Sequence, residues 1–180
     1  MTNKELGKAI RELLKTNGYN IKGISVRVKA ALYDTSVNIT VKDLTISTSD
    51  IDKLVSGKFE KIDYCERSME ILAGGNTYVS VQYDHEVVAA ARESKMEEAQ
   101  QLWDQAQSTC KRNTGMTVAR DEKNGTHATL MLGSHDGENC LVIFVDGKSC
   151  SCNERGKWAA YNVYALAEGL VFYELHGRFR

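Results

Sequence analysis

The chain has 180 residues, 42% of them apolar, and 23 Lys plus Arg against 24 Asp plus Glu give a net charge of −1. Length and apolar content suffice for one domain or two small ones, and they exclude a globally disordered chain, a polycationic nucleic-acid coat and a strongly acidic DNA mimic. Proline is absent, which removes polyproline ligand segments, stiff proline linkers and slow prolyl switches.

The chain opens Met1-Thr2-Asn3-Lys4-Glu5-Leu6-Gly7-Lys8, charged and helix-periodic, with neither an apolar signal core nor a small-residue cleavage site. Leu6, Ala9, Ile10, Leu13 and Leu14 predict an amphipathic helix over residues 3–16, with Asn3 as N-cap and Asn17-Gly18 as its stop. Lys4, Lys8, Arg11 and Lys15 recur along one ridge of that helix. Residues 23–31 and 35–43 alternate as Ile24, Val26, Val28 and Val37, Ile39, Val41. They predict an antiparallel hairpin turning at Tyr33-Asp34.

Ser47-Thr48-Ser49-Asp50 offers N-cap chemistry for a short helix through Ile51, Leu54 and Val55, closed by Gly57. A looser stretch over 58–73 precedes Gly74-Gly75-Asn76, and residues 77–83 read as a further strand. Residues 85–110 then predict one long amphipathic helix on Val88, Ala91, Met96, Ala99, Leu102, Trp103 and Ala106.

The last third reads as strands over 116–120, 127–132 and 140–145, punctuated by Lys123-Asn124-Gly125 and Asp136-Gly137. Asp146-Gly147 turns the chain into residues 148–153. A helix over 157–168, bracketed by Gly156 and Gly169, follows; residues 170–175 either continue that helix or form a final strand, the reading preferred here. The fold class is α+β: two small lobes, 1–84 and 113–180, each an antiparallel sheet with helices, joined by the helical segment 85–112.

No window approaches 18 uninterrupted apolar residues, so no membrane span is expected. Five cysteines, an odd number, read as free thiols of a reducing, cytoplasmic setting. Cys140, Cys150 and Cys152, with His127 or His135, are the one metal-like cluster. The C-x-C spacing places consecutive ligands on opposite faces of a strand, so neither a metal nor another cofactor is expected. Ser134-His135-Asp136 contains the residue types of a hydrolytic triad, but sequence neighbours cannot form the oriented relay, and the flanking Gly133 and Gly137 read as a hairpin loop. Phosphate-binding, zinc-protease and deaminase signatures are missing. A small hydrolase using His135 or Cys150 is the least favoured reading, and no catalytic residue is assigned.

Charge is polarised along the chain. Residues 1–30 hold seven basic side chains against Glu5 and Glu12, a ridge able to track phosphates, and just as well a solvated helix face. Residues 84–104 hold six acids against Arg92 and Lys95; such a face most commonly serves solubility, and Glu93, Glu97, Glu98 and Asp104 are the candidates for a basic partner surface. Six of the 14 aromatics, including Trp158, Tyr161 and Tyr164, fall in the last 23 residues, where they serve either a core or a protein interface.

The order Ala9-Ile10-Arg11-Glu12-Leu13-Leu14-Lys15, then Ile24-Ser25-Val26-Arg27, then Val37-Asn38-Ile39-Thr40-Val41 resembles the large polyvalent protein-associated domain type 29. That family opens with an IRxxLK helix, passes to an SVR strand and pairs it with a strand of alternating β-branched residues. The resemblance covers about residues 4–84, ending at a strand similar to Tyr78-Val79-Ser80-Val81. Two departures stand out: Lys42-Asp43-Leu44-Thr45 replaces a DGPT-like turn, and Gly18-Tyr19-Asn20 replaces an aromatic and proline pair. The resemblance implies origin in a phage, plasmid or conjugative element and no known catalytic residue. Small, motif-poor proteins of such elements are often counter-defence factors, with type II anti-CRISPR proteins as the nearest functional company. The first expectation is therefore a monomeric or homodimeric, non-enzymatic inhibitor of a host nuclease such as Cas9 with its guide RNA. The alternative is a nucleic-acid-binding accessory protein that grips phosphates with Lys4, Lys8, Arg11, Lys15 and Arg27.

Overall fold

The computed structural model describes residues 1–109, 116–121, 126–135, 138–145, 157–160 and 162–177; the side chains described are those of 1–30, 32–105, 160 and 162–177. The chain divides into two compact units, Met1–Val87 and Val88–Arg180.

In the first unit, helix α1 (Asn3–Thr16) buries Leu6, Gly7, Ile10 and Leu14, the stripe expected of an amphipathic helix. Its N-cap is Thr2 rather than Asn3. The Thr2 hydroxyl accepts the Glu5 N–H at 3.3 Å, and the Glu5 carboxylate accepts the Thr2 N–H at 2.8 Å, a reciprocal capping box. At the other end Gly18 takes φ +85°. Its N–H reaches the Lys15 carbonyl and the Tyr19 N–H reaches the Leu14 carbonyl, both at 3.0 Å, which closes the helix and turns the Tyr19 ring into the core.

Strands β1 (Ile24–Ala31) and β2 (Asp34–Val41) pair antiparallel from Ile24↔Val41 to Ala31↔Asp34. The connection is therefore Leu32-Tyr33, one residue earlier than expected, because Asp34 belongs to the ladder and its carboxylate accepts the Asn76 N–H at 3.0 Å. Helix α2 (Thr48–Phe59) buries Ile51 and Val55 and runs past Gly57, since the Glu60 N–H still bonds the Ser56 carbonyl at 3.0 Å. Strand β3 (Thr77–Tyr83) then pairs with β2 in parallel, giving the order β1-β2-β3. The expected all-antiparallel sheet is thus corrected to a mixed one. After β2 the chain returns through α2 to the end where β2 began, and a parallel neighbour requires such a crossover.

Alternation along the strands sorts the sheet into two faces. Ile24, Val26, Val37, Ile39 and Val41 join Leu6, Ile10 and Leu14 of α1 and Ile51 and Val55 of α2 in one buried cluster, with Val79, Val81 and Tyr83 packed against it. Both helices of this unit therefore serve the same face. The stretch over 58–73, expected to be loose, begins with the end of α2, and residues 60–76 are then ordered around Asn76, which is 1% exposed. Its side-chain Oδ1 accepts the Asp63 N–H at 2.8 Å and its side-chain Nδ2 donates to the Leu72 carbonyl at 2.7 Å.

From His85 onward the chain departs further from expectation. The single helix over 85–110 is two helices, α3 (His85–Glu93) and α4 (Met96–Thr109). At the break the Lys95 N–H bonds Arg92 O at 2.9 Å, three residues back, and the Ser94 hydroxyl donates to Ala91 O at 2.6 Å. The i−4 ladder ends there, and Lys95 O starts a new one by accepting the Ala99 N–H. Strands β4 (Met116–Asp121), β5 (Thr126–His135), β6 (Glu138–Val145) and β7 (Lys157–Ala160) form an antiparallel sheet in chain order.

Helix α5 (Val163–His176) corrects the preferred strand over 170–175 in favour of its alternative, a continuing helix, and moves the helix start from 157 to 163. Residues 157–160 pair with β6 instead. The Asn162 side chain caps α5 by accepting the Ala165 N–H at 2.8 Å, and Gly177, at φ +65°, ends it. Gly169 is buried within the helix. Among the described residues the molecule is α+β, and no helix is long and apolar enough to cross a membrane.

Candidate functional site

Of the five basic residues expected to track phosphates, Lys4, Lys8 and Lys15 are exposed on α1. Arg11 is engaged structurally: its guanidinium donates to the Gly7 carbonyl at 3.1 Å and to the Val26 carbonyl at 2.6 Å. Since β1 is an edge strand, this bond ties α1 to the sheet and occupies a backbone acceptor that would otherwise invite another strand. Arg27 alternates with Val26 and Val28, so it stands on the sheet face opposite α1. The five residues thus belong to two surfaces.

The acidic candidates are also divided. Glu93 ends α3, and Glu97, Glu98 and Asp104 lie on α4; Glu93 and Glu97 are exposed. The Lys95 ammonium is 2.9 Å from both Glu98 and Glu174, and these contacts raise its pKa, the Glu174 bond being the larger cause. Asp104 accepts the Gln100 amide at 2.9 Å. Arg92 pairs with Glu168 at 3.6 Å and lies 5.7 Å over the Tyr164 ring. The bases counted as a minority in this acidic stretch therefore fasten α3 and α4 to α5, and the acidic face is partly neutralised. Tyr164 is 59% exposed, whereas Phe172 and Tyr173 are core. Tyr161 and the side chain of Trp158, on β7, lie outside the described residues. So do Cys150, Cys152 and the side chains of His127, His135 and Cys140; Ser134 and His135 are the last residues of β5 rather than a loop.

A surface the sequence reading missed lies at one end of the first unit. Leu32 is 97% exposed, Tyr33 81% and Met69 72%, and Tyr64, Ile71 and Leu72 are exposed beside them in sequence. Two segments bring these residues to the same end of the sheet. The β1–β2 turn is bonded to the stretch before β3 through Gly75 N–H to Tyr33 O at 2.9 Å and Thr35 N–H to Asn76 O at 2.8 Å. Residues 63–72 fold back on themselves through Leu72 N–H to Asp63 O and Cys65 N–H to Glu70 O, both at 2.8 Å. Leu32 (φ +55°) and Met69 (φ +57°) are the non-glycine residues in left-handed backbone among those described. Each raises the energy of the fold by about 1–2 kcal/mol, and each holds a large apolar side chain in water. Neighbouring Cys65 has its thiol pKa lowered by the Ser68 hydroxyl first, then by the backbone N–H groups of Ser68 and Arg67. The available sequence signal was Leu32-Tyr33 at the tip of a hairpin, a place where Asn or Gly is the usual choice.

Among the described residues, no three His, Cys, Asp or Glu side chains come together as metal ligands. Compared with protein-family models, with curated proteins and with solved structures, the chain finds no match.

Proposed function

We propose that this chain is a counter-defence protein of a mobile element that binds a host nuclease of the Cas9 type and inhibits it without catalysis of its own. The observation that carries this reading is the strained apolar end of the first unit. Leu32 and Met69 stand in left-handed backbone with their apolar side chains in water, and a protein partner with an apolar pocket would bury them, a gain that offsets the backbone cost. No family model matches the chain, so the mobile-element origin in this reading rests on the motif order of residues 4–84 alone. A Cas9-type enzyme must reposition its HNH domain before it cuts, so a folded protein lodged between its domains suffices to stop it. Glu93 and Glu97 add charge suited to the basic channels of such an enzyme.

The test is a DNA cleavage assay with a panel of guide-loaded Cas9 orthologues, with and without the purified protein. At least one orthologue is expected to be inhibited. The double variant Leu32→Ser, Met69→Ser should raise the half-inhibitory concentration about 30-fold, the scale of a hot-spot loss near 2 kcal/mol. The pair Glu93→Gln, Glu97→Gln should change it only a few-fold. Absence of inhibition across a broad panel, with the protein folded, overturns the reading.

A further inference from the structure

We infer that the helix-free face of the first unit's sheet is a binding surface for single-stranded nucleic acid. The register places Lys29, Ser36 and Tyr78 in one row across β1, β2 and β3, and Arg27, Asn38 and Ser80 in the next. Beyond them, Lys42 continues the alternation of β2, its N–H bonded to the Gly23 carbonyl at 2.8 Å. Arg27, Lys29 and Lys42 are exposed. Both helices of the unit cover the opposite face, so neither occupies this one.

Charge complementarity selects the occupant. The three cations lie on a face whose interior strand positions contain no carboxylate. The carboxylates at its margins accept nearby hydrogen bonds: Asp34 from Asn76, Asp43 beside Lys42 from Thr45, Asp84 from Glu86 and Val87, and Glu60 from Val79 on the β3 edge. A polyanion thus meets Arg27, Lys29 and Lys42 with no acid among the strand positions between them, while the marginal carboxylates keep their charge and border the site. Shape selects the strandedness. Among the described residues, this pleated surface of Ser, Asn and Thr beside the half-buried Tyr78 ring carries no helix to enter a duplex groove. It does offer an aromatic against which an unpaired base can stack while Arg27, Lys29 and Lys42 follow the phosphates.

The experiment is fluorescence anisotropy of the full chain with labelled 15-mer oligo-U, oligo-dT and a 15-base-pair duplex, at about 50 and 200 mM salt. Three phosphate contacts on a single strand predict affinity about twentyfold lower at the higher salt. Arg27→Gln with Lys29→Gln and Lys42→Gln should weaken binding at low salt at least tenfold and flatten that dependence. Tyr78→Leu should weaken it about tenfold and leave the salt dependence unchanged, the signature of lost stacking. Lys4→Gln with Lys8→Gln and Lys15→Gln removes the same charge from α1 and should change affinity less than twofold. Binding of either single strand under these rules supports the site, and the tighter of the two names the sugar. No binding to any probe, equal binding to the duplex, or equal losses in the α1 and sheet variants overturns it. Nuclease inhibition is read separately, so the two proposals fail independently.

Discussion

Helices α1 and α5 have the same length, 14 residues, and opposite designs. α1 buries one stripe, Leu6, Gly7, Ile10 and Leu14, and gives the rest of its circumference to Lys, Arg and Glu. α5 buries Leu166, Ala167 and then Gly169 through Tyr173 without a break, so its middle is enclosed on all sides. A helix at the surface writes its period into the sequence because water selects the residues on the other half of each turn. An enclosed helix has no such selection, and its apolar run is indistinguishable from that of a buried strand.

The largest test of this contrast is tolerance to substitution. Phe172, 2% exposed at the centre of α5, should cost about 3–5 kcal/mol on replacement by Ala, from lost burial plus the cavity left behind. On α1, Lys8→Ala should stay within about 0.5 kcal/mol. Both tryptophans, Trp103 and Trp158, belong to the second unit, so denaturant titration followed by their fluorescence reads the α5 variant. Amide hydrogen exchange reads the first unit. Comparable losses for Phe172→Ala and Lys8→Ala would abolish the distinction between an enclosed and an amphipathic helix.

A smaller effect is expected at the caps. Asn162→Ala removes the side-chain oxygen that accepts the Ala165 N–H and should cost about 1 kcal/mol in the same titration. α1 is capped instead by a pair that includes a titratable group. The Thr2 N–H lowers the Glu5 pKa below its ordinary value of 4.5, and the Thr2 hydroxyl adds to this. A depressed carboxyl stabilises the fold above its ordinary pKa and loses that contribution as the pH falls through the lowered value. On acidification below 4.5, therefore, protection of the first turn of α1, taken relative to the intrinsic exchange rate at each pH, should fall. The first turn of α5, capped by a neutral amide, lacks this source of acid sensitivity.

The same physics decides what was legible in the sequence. The elements of the first unit could be read because its helices and strands each face water on one side: α1, the β1–β2 pair, α2 and β3 all emerge from period and cap chemistry. The parallel pairing of β3 was not legible, because nothing in Thr77–Tyr83 records which way the chain arrives. In α5 the boundary signals, Asn162 and Gly177, were present, but Gly156 and Gly169 offered equivalent punctuation and no period arbitrated between them. The break at Ser94-Lys95 was hidden because the apolar stripe continues across it. At the candidate surfaces, composition located the charges but not their partners. Arg11 counts as basic in sequence and is spent on backbone carbonyls, while Leu32 and Met69 count as apolar and stand in water.

The smallest predicted effect separates the two helices at the opposite end of the pH scale. Lys95 lies 2.9 Å from both Glu174 on α5 and Glu98 on α4, and its pKa is raised above the ordinary 10.5. A raised lysine stabilises the fold fully below its unfolded pKa and loses that contribution as the pH climbs through the folded one. The second unit should therefore lose a small increment of stability above pH 10.5. The increment is limited because Glu174 is largely in water, where an ion pair contributes at most about 1 kcal/mol. Glu174→Gln isolates the contribution: it should lower the denaturation midpoint slightly at neutral pH and reduce the difference between midpoints at pH 9 and pH 11. If the variant keeps the full alkaline loss, the fastening of α4 to α5 does not run through this pair, and the apolar enclosure of α5 alone holds the two helices together.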